Sequence, residues 1–430
     1  MSVPTPPRPP DVDPAEHPGV GRDRVSGSDA TAVGLASAAA AASGFLALLL
    51  VARTLSIPDN ADFLVFWSLM FGAFGVSGGI TNETTRSVGS SVGRAAVGPR
   101  VMGSALLVGV ALSAVVVLTS PAWATAALGS RAGLSVVVLA VAVLAFSGEC
   151  GYAGVLSGQA RWRRYAVLLV TEAGLRLALV AVACAVGAGV LGLEVAAAVA
   201  AATWLVVVLS GPAARVPLRA RSDALQRQHL RRVGQAMLGT ASSAALVVGF
   251  PVLLRLTSTD GVYAHSAPLV LAVSLTRAPL LIPLGAYQGM VITHVLSGAG
   301  ATVSLLRRSV LAVVGVGAAG ATAAFVAGPT LMSFLFGSGY RVVAIVLAGL
   351  TVAAAILALL TLSGAVLLAL DEHRSYAIGW LVATVGCVGI LLVPSSVASR
   401  TVLSLVLGPV LGLGVHAAAL RRHGQGLSRT

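Results

Sequence analysis

The sequence predicts an all-α fold, a polytopic transmembrane helical bundle of about 12 spans in two six-helix lobes, and three observations predict it. Of its 430 residues, 57% are hydrophobic and only 10% charged, with a mean hydropathy of +0.93. A soluble domain carries about 25% charged residues, so this chain cannot cover a water-facing surface. Apolar runs of about 20 residues, enough to cross a ~30 Å hydrocarbon core, recur along the chain. Finally, the stretch from Pro212 to Gly234, PAARVPLRARSDALQRQHLRRVG, holds six arginines and one acid, and it divides the chain into two hydrophobic halves. In a membrane protein such an excess marks a cytoplasmic loop.

Composition also excludes several function classes. The net charge of +13 and pI near 11.1 follow from positive-inside bias, so no nucleic-acid partner is implied. All 28 basic residues are arginine, which with the Ala/Val/Gly excess reads as codon bias. Cys150, Cys184 and Cys387 sit inside apolar runs with no metal spacing and read as packed small residues. His265, His294, His373 and His416 lack the spacing of a metal site. No Walker sequence, GxSxG or Asp-rich phosphate motif occurs, so no catalytic residue and no cofactor is expected. The acids of SIPDNAD resemble outer-loop acids of a membrane glycosyltransferase, but the loop is short and no large outer domain accompanies it.

In chain order, residues 1–29 are Pro-rich with scattered charge, which cannot bury a core and predicts a disordered cytoplasmic tail. A PxxP-type docking peptide is the alternative. The amino-terminal lobe, residues 30–212, holds spans at 32–55, 63–80, 101–119, 133–156, 166–186 and 195–210. Between the second and third lies the polar, basic loop TNETTRSVGSSVGRAAVGPR; Pro121 falls in the connection after the third. Trp162 and Tyr165 stand as interfacial anchors beside Arg161, Arg163 and Arg164. The basic linker occupies 213–234. The carboxy-terminal lobe, 235–420, holds spans at 235–256, 268–296 (interrupted by Pro279 and Pro283), 310–325, 342–370, 377–393 and 402–420, and residues 421–430 form a second tail.

With the amino terminus in the cytoplasm, 21 arginines fall on inside segments, 5 outside and 2 within spans. This asymmetry predicts that both termini are cytoplasmic. ARTLSIPDNADF and LRLTSTDGVYAH each place an arginine at the outer end of a half's first span, before an Asp-containing turn. That match suggests a parallel six-plus-six repeat, a transporter architecture with its site at the repeat interface.

An intramembrane charge costs roughly 2.5–3.5 kcal/mol on insertion scales, so each needs a reason. Glu172 and Arg176 are four apart on the fifth span and share a helix face. They form either a self-neutralising structural pair or the lining of a hydrated cavity in which Arg176 exchanges Glu172 for an anionic substrate. Arg277 has no acid within helical reach and precedes Pro279 and Pro283, so it reads as an anion-facing cation on a broken helix, against snorkelling or pairing with another helix as the alternative. Glu149, among small residues in FSGECGY, is a coupling or pairing acid for Arg176 or Arg277. Arg53 sits at the outer interface, and Arg86 at the cytoplasmic mouth of the cavity.

GFLALLLVARTLSIPDNADFLVFWSLMFGAFGVSGGITNETTR is similar to the opening of polysaccharide flippases of the multidrug/oligosaccharidyl-lipid/polysaccharide exporter superfamily: an apolar first helix ending in Ala-Arg-x-Leu, a Phe-containing second helix, and a Gly-rich close. FLFGSGYRVVAIVLAGLTVAAAI resembles the same family's turn into its tenth helix. Where that family has an acidic-aromatic-glycine turn after the first helix, this chain has SIPDNAD. The resemblance implies a non-enzymatic flippase of a bacterial plasma membrane that moves polyprenyl-pyrophosphate-linked sugars by alternating access. Its implied partners are the lipid-linked sugar, membrane lipids and the glycosyltransferases or polymerase of the same pathway. Arg277, Arg176, Arg53 and Arg86 are then the substrate-binding candidates, and Glu172 and Glu149 the coupling or ion-pair candidates. A cation-coupled drug antiporter of the same superfamily, which favours acids in its cavity, and a membrane-embedded glycosyl- or acyltransferase are the rival readings. A non-transporting scaffold acting through its Pro-rich tail is a further one.

Overall fold

The computed structural model describes residues 27–91, 98–296 and 302–427. The Pro-rich tail up to residue 26 and Arg94 lie outside the described residues, as does the side chain of Pro283. Among the described residues the chain is helical, with no strand beyond one isolated bridge between Arg100 and Arg221.

Twelve helical segments follow one another: α1 Gly27–Thr54, α2 Ile57–Ser90, α3 Val101–Leu128, α4 Ala132–Gly158, α5 Trp162–Ala185 and α6 Val190–Leu209, then α7 in two arms, Gln226–Val247 and Phe250–Leu256, bent by 64°. After these come α8 Ala267–Leu296, α9 Thr302–Phe336, α10 Ala344–Ala369, α11 His373–Leu391 and α12 Val397–Leu427. α3 and α4 are one apolar stretch of 58 residues, which would be about 87 Å long if straight. Gly129, in the left-handed region at φ 62°, folds it back on itself.

Several spans depart from the expected limits, each for a polar reason. The stretch TNETTR continues α2 rather than forming a loop, because Glu83 and Arg86 pair one turn apart and Ser87 and Ser90 bond to Asp223. α3 runs through Pro121 instead of ending before it. Proline removes the N–H that Val117 O would accept, and Ser120 Oγ donates to that carbonyl at 2.8 Å instead. Within the basic stretch read as a loop to residue 234, α7 already begins at Gln226. The expected break in the eighth span is absent, since α8 is continuous from 267 to 296. The break lies in α7.

The two halves pack alike. In the first, α1 packs on α5, α2 on α4, α3 on α4, α4 on α6 and α5 on α6. In the second, α7 packs on α11, α8 on α10, α9 on α10, α10 on α12 and α11 on α12, the same five pairings six helices later. Small residues allow the closest approaches: Gly109 against Ser147 and Gly151 against Ala105 within the α3–α4 hairpin.

The lobes meet unequally. α2 lies along both arms of α7, and a Cβ on Gly79 would stand 2.6 Å from Met237 Cα. Thr240 Oγ1 bonds to Val76 O at 3.1 Å across the same contact. On the opposite flank α1 touches α8 and α9 at few points, among them Phe45 edge-on to Phe336 at 6.0 Å. The space left on that flank is the candidate site.

Candidate substrate cavity between the lobes

The cavity is built around the break in α7. Pro251 cannot donate to Val247 O, and its ring crowds that carbonyl, so the helix stops at Val247 and restarts at Phe250. A helix end leaves carbonyls without partners and carries negative partial charge. Arg277 Nη1 donates to Leu246 O at 3.0 Å and to Val247 O at 3.1 Å, and Ser68 Oγ donates to Val248 O at 2.6 Å. The Arg277 guanidinium is 5.9 Å from the centre of the Phe250 ring, and the residue is buried. Arg277 therefore does not serve a break in its own helix. It reaches across to the carbonyls freed in the neighbouring one, while lining a cavity of about 220 Å³ with Leu48, Trp67, Ser68 and Val248.

Across the interface, Arg176 is bonded to Glu172 one turn before it and donates through Nε to Ala197 O at 3.2 Å. Its guanidinium lies over Phe71 at 4.7 Å and Phe74 at 5.7 Å, a stacking suited to a cation removed from water. Phe74 in turn stacks on Phe146 at 3.9 Å. Glu149 is 4% exposed, its Oε2 has no hydrogen-bond partner, and it interacts electrostatically with Arg176. Two carboxyls thus share one guanidinium in the first lobe. Ser43 Oγ fastens α1 to α5 at Ala173 O, 2.6 Å. Glu172 and Arg176 line a second cavity of about 390 Å³ with Ser43, Leu48, Trp67 and Val248.

The two cavities share Leu48, Trp67 and Val248 and so adjoin, with an arginine on either side. Arg277 is ten residues into α8 and Trp67 ten into α2, which puts each about 15 Å from the amino-terminal end of its helix, well inside the apolar stretch.

The remaining candidates lie elsewhere. Arg53, at the end of α1, donates through Nε to Leu335 O at 2.7 Å and bonds also to Phe334 O, capping α9. With Asn60 Nδ2 donating to Tyr340 Oη at 2.8 Å and Tyr263 Oη to Ala61 O at 3.2 Å, it ties the lobes at one end of the interface. Arg86 ties them at the other. It pairs with Glu83 at 2.6 Å and with Asp223 at 3.0 Å, and Asp223 meets Arg232 of α7 at 3.3 Å. Burial pushes the Asp223 carboxyl up, but hydrogen bonds from Arg86, Ser87 and Ser90 outweigh it and hold the group well below the usual carboxylate range. Sequence reasoning missed Ser68, Trp67 and the α7 break, although Gly249-Phe250-Pro251 was a visible signal for the last. It also missed Glu194, buried in α6 and accepting from Ser135 Oγ at 2.6 Å. Among the described residues no group of His, Cys, Asp and Glu could hold a metal ion.

No family model matches the chain. "Uncharacterized protein Rv3630" of Mycobacterium tuberculosis (strain ATCC 25618 / H37Rv) is 35% identical over 397 residues, 91% of each chain. "Uncharacterized protein Rv1510" of the same strain is 36% identical over 396 residues, again 91% of each. This chain belongs to their family. Among solved structures it is similar to a multidrug resistance MATE family transporter of the MOP superfamily in an inward-facing conformation, with TM-score 0.67, 16% identity, and coverage of 90% of this chain and 95% of the other. An outward-facing conformation of such a transporter gives TM-score 0.64 at 15% identity, covering 94% and 96%. A MOP superfamily transporter from Pyrococcus furiosus Vc1, described by the reverse polarity of its binding pocket, gives 0.59 at 14% identity, covering 91% and 95%. The fold is the two-lobed, twelve-helix fold of MOP superfamily transporters.

Proposed function

We propose that this chain is a flippase that moves a lipid-linked oligosaccharide, carried on polyprenyl pyrophosphate, across a bacterial plasma membrane by alternating access. The observation that carries the reading is the pair Arg176 and Arg277, on facing lobes, bordering adjoining cavities within the helical bundle. Guanidinium groups recognise phosphate oxygens through paired N–H donors, and in hydrocarbon a cation is retained where function or pairing repays it. Each arginine now bonds to something a diphosphate could replace: Glu172 for Arg176, and helix-end carbonyls for Arg277. Rocking of the lobes would open the Arg53 and Asn60 ties in one state and the Arg86–Asp223 tie in the other. The arginine asymmetry supports cytoplasmic termini.

A second reading, a cation-coupled antiporter, is supported by Glu149 and Glu172 beside Arg176 and by the MATE neighbours. Flipping of a fluorescent polyprenyl-pyrophosphate sugar in proteoliposomes separates the two, with Arg277→Ala and Arg277→Lys beside the wild type. Transport by the wild type, abolished by alanine and partly kept by lysine, is expected. Absence of flipping by folded wild-type protein, with proton-driven dye efflux in its place, would replace the flippase by the antiporter.

A further inference from the structure

The basic linker is folded against the first lobe. Backbone bonds pair Ser222 with Gly98 and Pro99, and Val101 N with Ala220 O. Tyr152 Oη donates to Ala214 O at 2.9 Å and Arg164 Nη1 to Ala213 O at 3.3 Å. Two short helical turns, Pro212–Arg215 and Val216–Arg219, bury Pro217 and pack Leu218 against the cluster of Tyr165, Leu168 and Trp204. Arg215 and Arg219, one turn apart, remain exposed with Val216 between them.

The neighbouring surface is of the same kind. Arg163 and Arg164 open α5 beside Trp162, whose ring meets Tyr165 edge-on at 6.4 Å. Arg100 and Arg221 face one another at the isolated bridge. Arg227 and Arg231 follow one turn apart on α7, and Leu225 just before them is 70% exposed. All eight of these arginines are exposed, and none forms an ion pair among the described residues. Asp223, the one acid of the linker, is taken up by Arg86 and Arg232.

We infer that this arginine-rich surface around the linker is a binding surface for anionic phospholipid headgroups of the inner leaflet. Guanidinium groups set at the ends of membrane-spanning helices, with interfacial aromatics and exposed Val216 and Leu225 among them, match a layer that is phosphate-rich on one side and apolar on the other. A soluble polyanion would leave those apolar side chains uncovered. The surface anchors the transporter proposed above to the leaflet, and it rests on that reading only for which leaflet it meets.

The test uses the full chain in detergent, with added phosphatidylglycerol or phosphatidylcholine counted on the intact protein by native mass spectrometry. Wild-type protein is expected to retain phosphatidylglycerol in preference. R163Q/R215Q/R219Q should weaken that retention by roughly fivefold per arginine, on the order of a hundredfold together. Lysine at the same three positions should keep it, and R307Q/R308Q in the second lobe should leave it unchanged. Equal retention of the two lipids by the wild type, loss in the lysine variant, or the same loss from R307Q/R308Q would overturn the inference. Maleimide labelling of a cysteine placed at Gln228, reached from the outside of intact cells, would overturn the leaflet assignment without touching the lipid result. Failed sugar flipping beside intact lipid preference would refute only the flippase.

Discussion

If Arg277 caps the broken α7, its removal should cost less once the break is healed. Two bonds run from its Nη1 to Leu246 O and Val247 O, and a charged donor is worth about 1.5–3 kcal/mol per bond. Arg277→Ala therefore forfeits roughly 3–6 kcal/mol of bonding. Against this stands the relief of no longer burying a guanidinium, itself several kcal/mol. That relief is common to both backgrounds and cancels in a double-mutant cycle. Pro251→Ala restores an N–H four residues after Val247, and in the continuous helix the Phe250 N–H reaches Leu246 O, so both carbonyls regain helical donors and neither depends on Arg277. The expected coupling is both bonds, up to about 3–6 kcal/mol, with Arg277→Ala less costly in the Pro251→Ala background. Unfolding in mixed micelles followed by tryptophan fluorescence measures it. Costs equal within about 0.5 kcal/mol in the two backgrounds would refute the capping role.

Two further outcomes follow from the lobe contacts. Because the folded-state pKa of Asp223 is depressed, its clasp should contribute stability that is full above the unfolded value of about 3.9 and lost as pH falls through the lower folded value. The difference in thermal stability between wild type and Asp223→Asn should thus be constant from pH 7 to about 5 and shrink below about 4; a gap that persists at the lowest pH would exclude the carboxylate as its source. Gly79→Ala would set a Cβ 2.6 Å from Met237 Cα, where ordinary contact is about 3.5–4.0 Å, so α2 and α7 must part by about 1 Å at a cost of about 1–3 kcal/mol. A disulfide between cysteines at Val76 and Thr240 should then form more slowly than in the parent, and unchanged cross-linking would refute the close approach.

Much of the site's raw material was legible in the chain. Arg176, Glu172, Glu149 and Arg277 stand out because a charge in an apolar run is anomalous whatever surrounds it, and the four-residue spacing of Glu172 and Arg176 already pairs them. Their surroundings were not legible. The phenyl groups under Arg176 come from α2, about 100 residues earlier, and the carbonyls under Arg277 from α7, 30 and 31 residues earlier. Arg53 and Arg86 have the chemistry of anion ligands, yet each bonds across the lobe interface, Arg53 to a helix end and Arg86 to Asp223.

By itself, then, the sequence determined the solvent and the count. Hydrocarbon demands long apolar helices with every backbone group satisfied internally, and it makes each buried charge costly, so composition and run length alone mark a twelve-span bundle with two halves. Tertiary structure decided where the helices bend and what each polar group meets. Pro279 lies in an unbroken helix while Pro251 breaks one, and the carbonyls at that break are met by Arg277 and Ser68 from other helices, a reach that depends on packing rather than on residue order.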